Sequence, residues 1–167
     1  MMEIERVLVS EGLMHTYNLV GPAVGEDYRA LLRAVAPLAE VFGVLDKGPR
    51  TRMDESGNEV LRRLGEHLLG ADEVQAWPGS VIVGRSTQDR YLFRLDDESL
   101  EVLTTAASSL FDWVWPRLPE DLHLLRADGS TVLGTVAQED DAWLELTAAE
   151  YDAVTGRLPR GVRLGRG

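Results

Sequence analysis

Three histidines, a single lysine and several runs of carboxylates are the residues of this 167-residue chain that could do chemistry. His15, His67 and His123 lie far apart, and none belongs to an H-E-x-x-H pair: Gly70 and Ala71 stand where a partner for Glu66-His67 would fall. A zinc site would need the fold to assemble three such groups from a distance. His67 borders the apolar stripe of an expected helix and reads as a boundary or surface histidine. His123 alternates with Leu122 and Leu124, so it points to the opposite face of an expected strand. A cross-strand surface role is the plainer reading there, and a general base the sharper one.

The carboxylate runs have local explanations. Asp96-Asp97-Glu98 suits a helix start, where the dipole favours negative charge. Glu120-Asp121 follows Pro119 and suits a turn. Glu139-Asp140-Asp141 falls at an expected hairpin tip and lacks the spacing of a calcium loop. Solvated charge is the plain reading of that tip, and a partner-binding spot the sharper one. Trp113 and Trp115, two residues apart, cannot share one helix face. An exposed Trp115 beside acidic residues would mark a docking surface, since tryptophan is enriched at interface hot spots. The candidate partner-binding residues are therefore Trp115, Glu139, Asp140 and Asp141.

Other chemistries drop out. The chain has no cysteine, which removes disulfides, thiolate metal sites and thiol nucleophiles. Lys47 is followed by Gly-Pro, and no phosphate loop, G-x-G-x-x-G or G-x-S-x-G pattern occurs. No cofactor, metal or catalytic residue is assigned.

The elements that must position these groups follow from periodicity. Leu13–Val20 reads as strand-like, as do Ile4–Val9 before it, with a hairpin around Glu11-Gly12. Tyr28, Leu31, Val35, Leu38 and Phe42 make one helical stripe from Glu26, with a stop or kink expected near Ala36 because Pro37 lacks an N–H. Val41–Leu45 reads as a short strand and 46–49 as a loop. A second helix is expected over Asn58–Leu69, opened by a Ser56/Glu59 capping box and stopped by Gly70. Val74–Trp77 reads as a weak strand, and 80–84 with 90–95 as a hairpin. Asp96 caps an expected helix running to Trp115. Residues 121–146 read as an antiparallel meander turning at Asp128-Gly129, and Thr147 opens a short helix ended by Gly156.

The expectation is an α+β domain over residues 1–156: an antiparallel sheet, made of hairpin 80–95 and meander 121–146, packed with three to four helices. The last eleven residues carry Arg157, Arg160, Arg163 and Arg166, no acid and three glycines, and are expected to hold little regular structure.

The formal net charge is −11, and the acids all precede that tail. Such a chain repels nucleic-acid phosphates. No signal segment opens it and no apolar run is long enough for a membrane span, so a cytoplasmic protein is expected. These features favour a non-enzymatic, acidic protein-interaction module for a basic partner, as a toxin-neutralising immunity protein or an adaptor would be. The alternative is a small enzyme or ligand-binding domain whose site is assembled from distant groups such as His123, Glu139 and Tyr91. A structural homo-oligomer is a third reading, and the oligomeric state is open.

Overall fold

A computed structural model describes residues 12–47 and 52–167. The strand at Ile4–Val9, the turn at Glu11 and the loop at 48–49 lie outside the described residues. Among those described, ten strands and four α-helices follow one another along the chain. The strands are β1 (His15–Val20), β2 (Val41–Asp46), β3 (Leu68–Val74), β4 (Ala76–Trp77), β5 (Ser80–Val81), β6 (Gln88–Arg94), β7 (Glu120–Leu125), β8 (Thr131–Val136), β9 (Asp141–Leu146) and β10 (Arg163–Arg166). The helices are α1 (Glu26–Val35), α2 (Glu55–Arg63), α3 (Asp97–Ala106) and α4 (Ala148–Thr155).

Eight strands form one antiparallel sheet in the order β10-β1-β9-β8-β7-β2-β6-β3, and β4-β5 form a separate two-stranded ribbon. This is the α+β architecture that the sequence predicts. One register row crosses almost the whole sheet: Tyr17, Leu144, Leu133, Leu124, Phe42 and Phe93. Register partners share a face, so this row defines the core side. Tyr28, Leu31, Leu103, Leu64 and Val154 of the helical segments pack on it. Burying a large apolar side chain contributes about 1.5–3 kcal/mol, so this row and its helical cover dominate the stability.

Local signals place several elements correctly. α1 ends at Val35 and a 3-10 turn, Ala36–Leu38, carries Pro37, whose missing N–H forbids continuation. Asp96 caps α3 by accepting from Ser99 N, and Thr147 caps α4 by accepting from Glu150 N. The β7–β8 turn uses Gly129 at φ 86°, with Asp128 Oδ1 accepting from Ser130 N and Oγ.

Four expectations need correction. The second helix covers Glu55–Arg63, not 58–69. Ser56 Oγ donates to Arg117 O rather than closing a capping box, the chain tightens into a 3-10 turn at Gly65–His67, and Leu68–Val74 pairs with β6. Leu64 and Leu68 keep a helical spacing, but glycines at 65 and 70 weaken the helix and strand pairing wins. The 80–95 hairpin does not form: Trp77 and Ser80 are register partners across Pro78-Gly79, and β6 pairs with β2 and β3 instead. Val81 and Val83 are exposed, so apolar composition there is not a sign of burial. α3 stops at Ala106, because Ala107 is extended and Ser109 caps a new 3-10 turn at Leu110–Asp112. Finally, residues 163–166 are not irregular: they form β10, the edge strand beside β1.

No helix among the described residues is long and apolar enough to cross a membrane.

Candidate functional site

A cluster of buried polar side chains, Glu120, Asp121 and His123, lies where β7 begins. β2 ends at Asp46, Lys47 follows, and Leu45 is the register partner of Glu120 across a bulge. Pro119 leads into β7, and Asp121 adopts the left-handed region at φ 56°, a conformation that non-glycine residues rarely hold without a compensating network. The network is present. Asp121 N donates to Trp113 O. Its carboxylate accepts from Trp77 Nε1 at 2.9 Å and from Ala137 N at 3.0 Å, and its carbonyl accepts from His123 Nδ1 at 2.7 Å. Burial pushes the Asp121 carboxyl up from the usual carboxylate range, against the two hydrogen bonds.

Glu120 is buried beside it. Oε1 accepts from Gln138 Nε2 at 2.9 Å and from Trp115 N at 3.3 Å. Oε2 has no hydrogen-bond partner beyond its ion pair with the Lys47 ammonium. Lys47 also stands over the Trp77 ring, 5.7 Å from its centroid. Two adjacent carboxylates thus pin three separate segments to the sheet: the β4–β5 ribbon through Trp77, the turn after β8 through Ala137 and Gln138, and the end of β2 through Lys47.

His123 lies on the sheet face away from the helices, as its alternation predicts, but it is fully buried rather than on the surface. Its ring covers Gly43, its register partner, and a Cβ at 43 would collide with it. Trp143 covers Gly134 in the same way and also fills the space above Gly79 of the ribbon. These ring-over-glycine pairs and the ribbon close the second face. A carbonyl can only accept, so the His123 proton sits on Nδ1. Nε2 is then a bare, buried acceptor. Desolvation holds the imidazole down at about 4.

His67 is buried too, not at the boundary or surface as its place beside the apolar stripe suggests, because its Nδ1 lies 3.1 Å from Asp96 Oδ2 and ties the start of β3 to the cap of α3. His15 lies at the opposite end of the sheet, against Arg166. Among the described residues no group of three or more His, Asp or Glu could hold a metal ion.

The candidate partner residues are placed differently from one another. Trp115 is half-buried against the core, its Nε1 enclosed and unpartnered. Glu139, Asp140 and Asp141 are exposed at the turn between β8 and β9, with Asp140 at φ 50°. His123, Glu139 and Tyr91 are not brought together. Tyr91 is the register partner of Val44 on the core face, where its hydroxyl donates to Asp46 at 3.4 Å, whereas His123 is on the opposite face and Glu139 is in a solvated turn. Sequence reasoning missed Glu120, Asp121, Lys47 and Trp77 as a unit. The one available signal was a lone lysine and a Glu-Asp pair with no helix to cap.

Outside the interior, two charged regions stand out. Arg157, Arg160, Arg163 and Arg166 are exposed around the β10 edge. At the β3 end, a concavity of about 450 Å³ is lined by Glu66, His67, Arg94, Asp96, Asp97 and Glu98. No protein-family model matches the chain, and comparison with curated proteins and with solved structures returns no match.

Proposed function

We propose that this chain is an acidic protein-interaction module that receives a basic protein partner at the β3 end of its sheet. One observation carries the reading: Glu66, Asp97 and Glu98 line one concavity at the end of the sheet farthest from the arginine-rich β10 edge, where the one arginine of the lining, Arg94, is paired with Asp96. Such a dipolar layout steers a basic partner to one end and sets its orientation. The buried Lys47–Glu120–Asp121 cluster serves as scaffold in this reading, since its carboxylates are spent on internal partners. The module acts in the cytoplasm, as a toxin-neutralising immunity protein or an adaptor does, and a net charge of −11 disfavours nucleic acid.

The test is affinity capture from native lysate with wild type and with the triple variant Glu66→Gln, Asp97→Asn, Glu98→Gln. Each captured protein is then measured as a purified pair. The expected result is a basic partner whose association slows with added salt and whose affinity falls about tenfold or more in the variant. A partner indifferent to the variant, or a small-molecule ligand in its place, overturns the reading.

A further inference from the structure

We propose that the open edge of β3 takes up an extended segment of that basic partner as an added strand. This rests on the proposed function and specifies how the partner is held. β3 is seven residues long and ends the sheet among the described residues. Its inner edge bonds to β6, which leaves a row of backbone donors and acceptors on the outer edge, the template that strand addition uses. A bulge at Leu69 interrupts the pairing with β6, so the regular docking run is Gly70–Val74.

The side chains around this edge describe what fits. Leu68 and Leu69 are exposed at one end, 47% and 56%. Val81 and Val83, 75% and 96% exposed, stand at the other. Ile82 N donating to Gln75 O and Gln75 Nε2 donating to Gly84 O hold that loop beside the last residues of β3. Acids occupy the middle. Asp72 is matched by its register partner Arg90, which donates to both carboxylate oxygens at 3.2 and 2.9 Å. Glu73 is opposed by Asp89, so one register row sets two carboxylates directly opposite each other on adjacent strands. Like charges directly opposite one another destabilise a sheet. A Lys or Arg on an incoming strand beside Glu73 continues that row with the opposite sign. The fitting segment has a basic middle and apolar ends.

The other edge does not offer this. β10 has four residues, and Arg163 and Arg166 guard it against any basic strand. A second copy of the chain could set β10 against β3, a head-to-tail contact that builds rings or open-ended chains and so shows as oligomers larger than the single chain.

The probe is a synthetic nine-residue peptide with valines at its ends and lysines and arginines in its middle. It is compared with a version N-methylated at alternate amides and with a version carrying Glu for each basic residue. The expected result is at least about tenfold slower amide exchange across 70–74 when the basic peptide is bound. N-methylation should weaken binding about tenfold or more, and the acidic peptide should not bind. Glu73→Lys should weaken the basic peptide about tenfold while raising Tm, because it also relieves the carboxylate row. A lower Tm would instead mark a merely structural effect and overturn this part. Three results overturn the edge inference: no binding at about 1 mM peptide, binding indifferent to N-methylation, or protection confined to the Glu66, Asp97 and Glu98 concavity. The last leaves the acidic-module reading standing, and that reading falls only on the capture experiment. Concentration-dependent oligomers of the chain alone with 70–74 protected would assign the edge to a second copy and overturn the basic occupant.

Discussion

Two acidic runs flank the β7–β8 hairpin and behave in opposite ways. Glu120-Asp121 is buried, and its carboxylates bind Lys47, Gln138, Trp77 and the backbone of Ala137. Glu139-Asp140-Asp141, two residues past Ala137, is exposed. The composition of the two runs is nearly the same. What separates them is the strand that each enters: β7, which starts with Glu120-Asp121, is buried along its length, whereas β9 begins at an exposed end with Asp141. An acidic run therefore has no fixed meaning. Buried, it organises the chain around itself because an unpaired buried charge is too costly to keep. Exposed, it sets only charge and solubility.

The largest test of this contrast is Asp121→Ala. It orphans the Trp77 Nε1 and Ala137 N donors and should cost about 4 kcal/mol, read by urea denaturation. A loss under about 1 kcal/mol would mean that the ribbon is held by Trp77 packing alone. Next comes acid sensitivity. The folded His123 imidazole titrates at about 4, below the ordinary 6.5, so the stability it contributes is complete above pH 6.5 and is lost as pH falls toward 4, by about 3 kcal/mol. Asp121, whose carboxyl is raised, works in the opposite sense, since protonation favours its folded form. His123→Leu should flatten the loss of Tm between pH 6.5 and 4, and an unchanged slope would assign that loss to other groups.

Lys47→Met should cost less, about 2 kcal/mol, because the lysine side chain is 30% exposed and water reaches it. Adding Glu120→Gln should restore part of the loss, and a double-mutant cycle with no coupling would refute the ion pair as an organising contact. The smallest effect belongs to the exposed run. Glu139→Gln, Asp140→Asn and Asp141→Asn together should shift stability by less than about 0.5 kcal/mol per site. A larger loss would show that this turn, too, is part of the scaffold.

The fold is legible where the signal is local. The stop at Pro37, the caps at Asp96 and Thr147 and the turn at Asp128-Gly129 each depend on neighbours within four residues. β3 is not legible in this way. Its residues are mostly exposed and its leucines continue a helical spacing, so only the pairing with β6 identifies it. β10 is hidden for the same reason, since a glycine- and arginine-rich segment becomes a strand only because β1 offers it an edge. The candidate site was less legible still. Alternation places His123 on the face away from the helices, but nothing near it in sequence shows that Gly43, 80 residues earlier, leaves room for its ring.

By itself the sequence determined the α+β class, three of the four helix starts, the meander, the missing thiol chemistry and the division of charge between an acidic body and an arginine-rich end. These rest on composition or on contacts within one turn of chain. Only the tertiary structure decided that one Glu-Asp pair is interior, that Arg163 and Arg166 lie on one edge strand, and that β3 ends the sheet on the other side among the described residues. Burial and edge exposure are properties of which strands become neighbours, and that is settled by pairing between residues far apart in the chain.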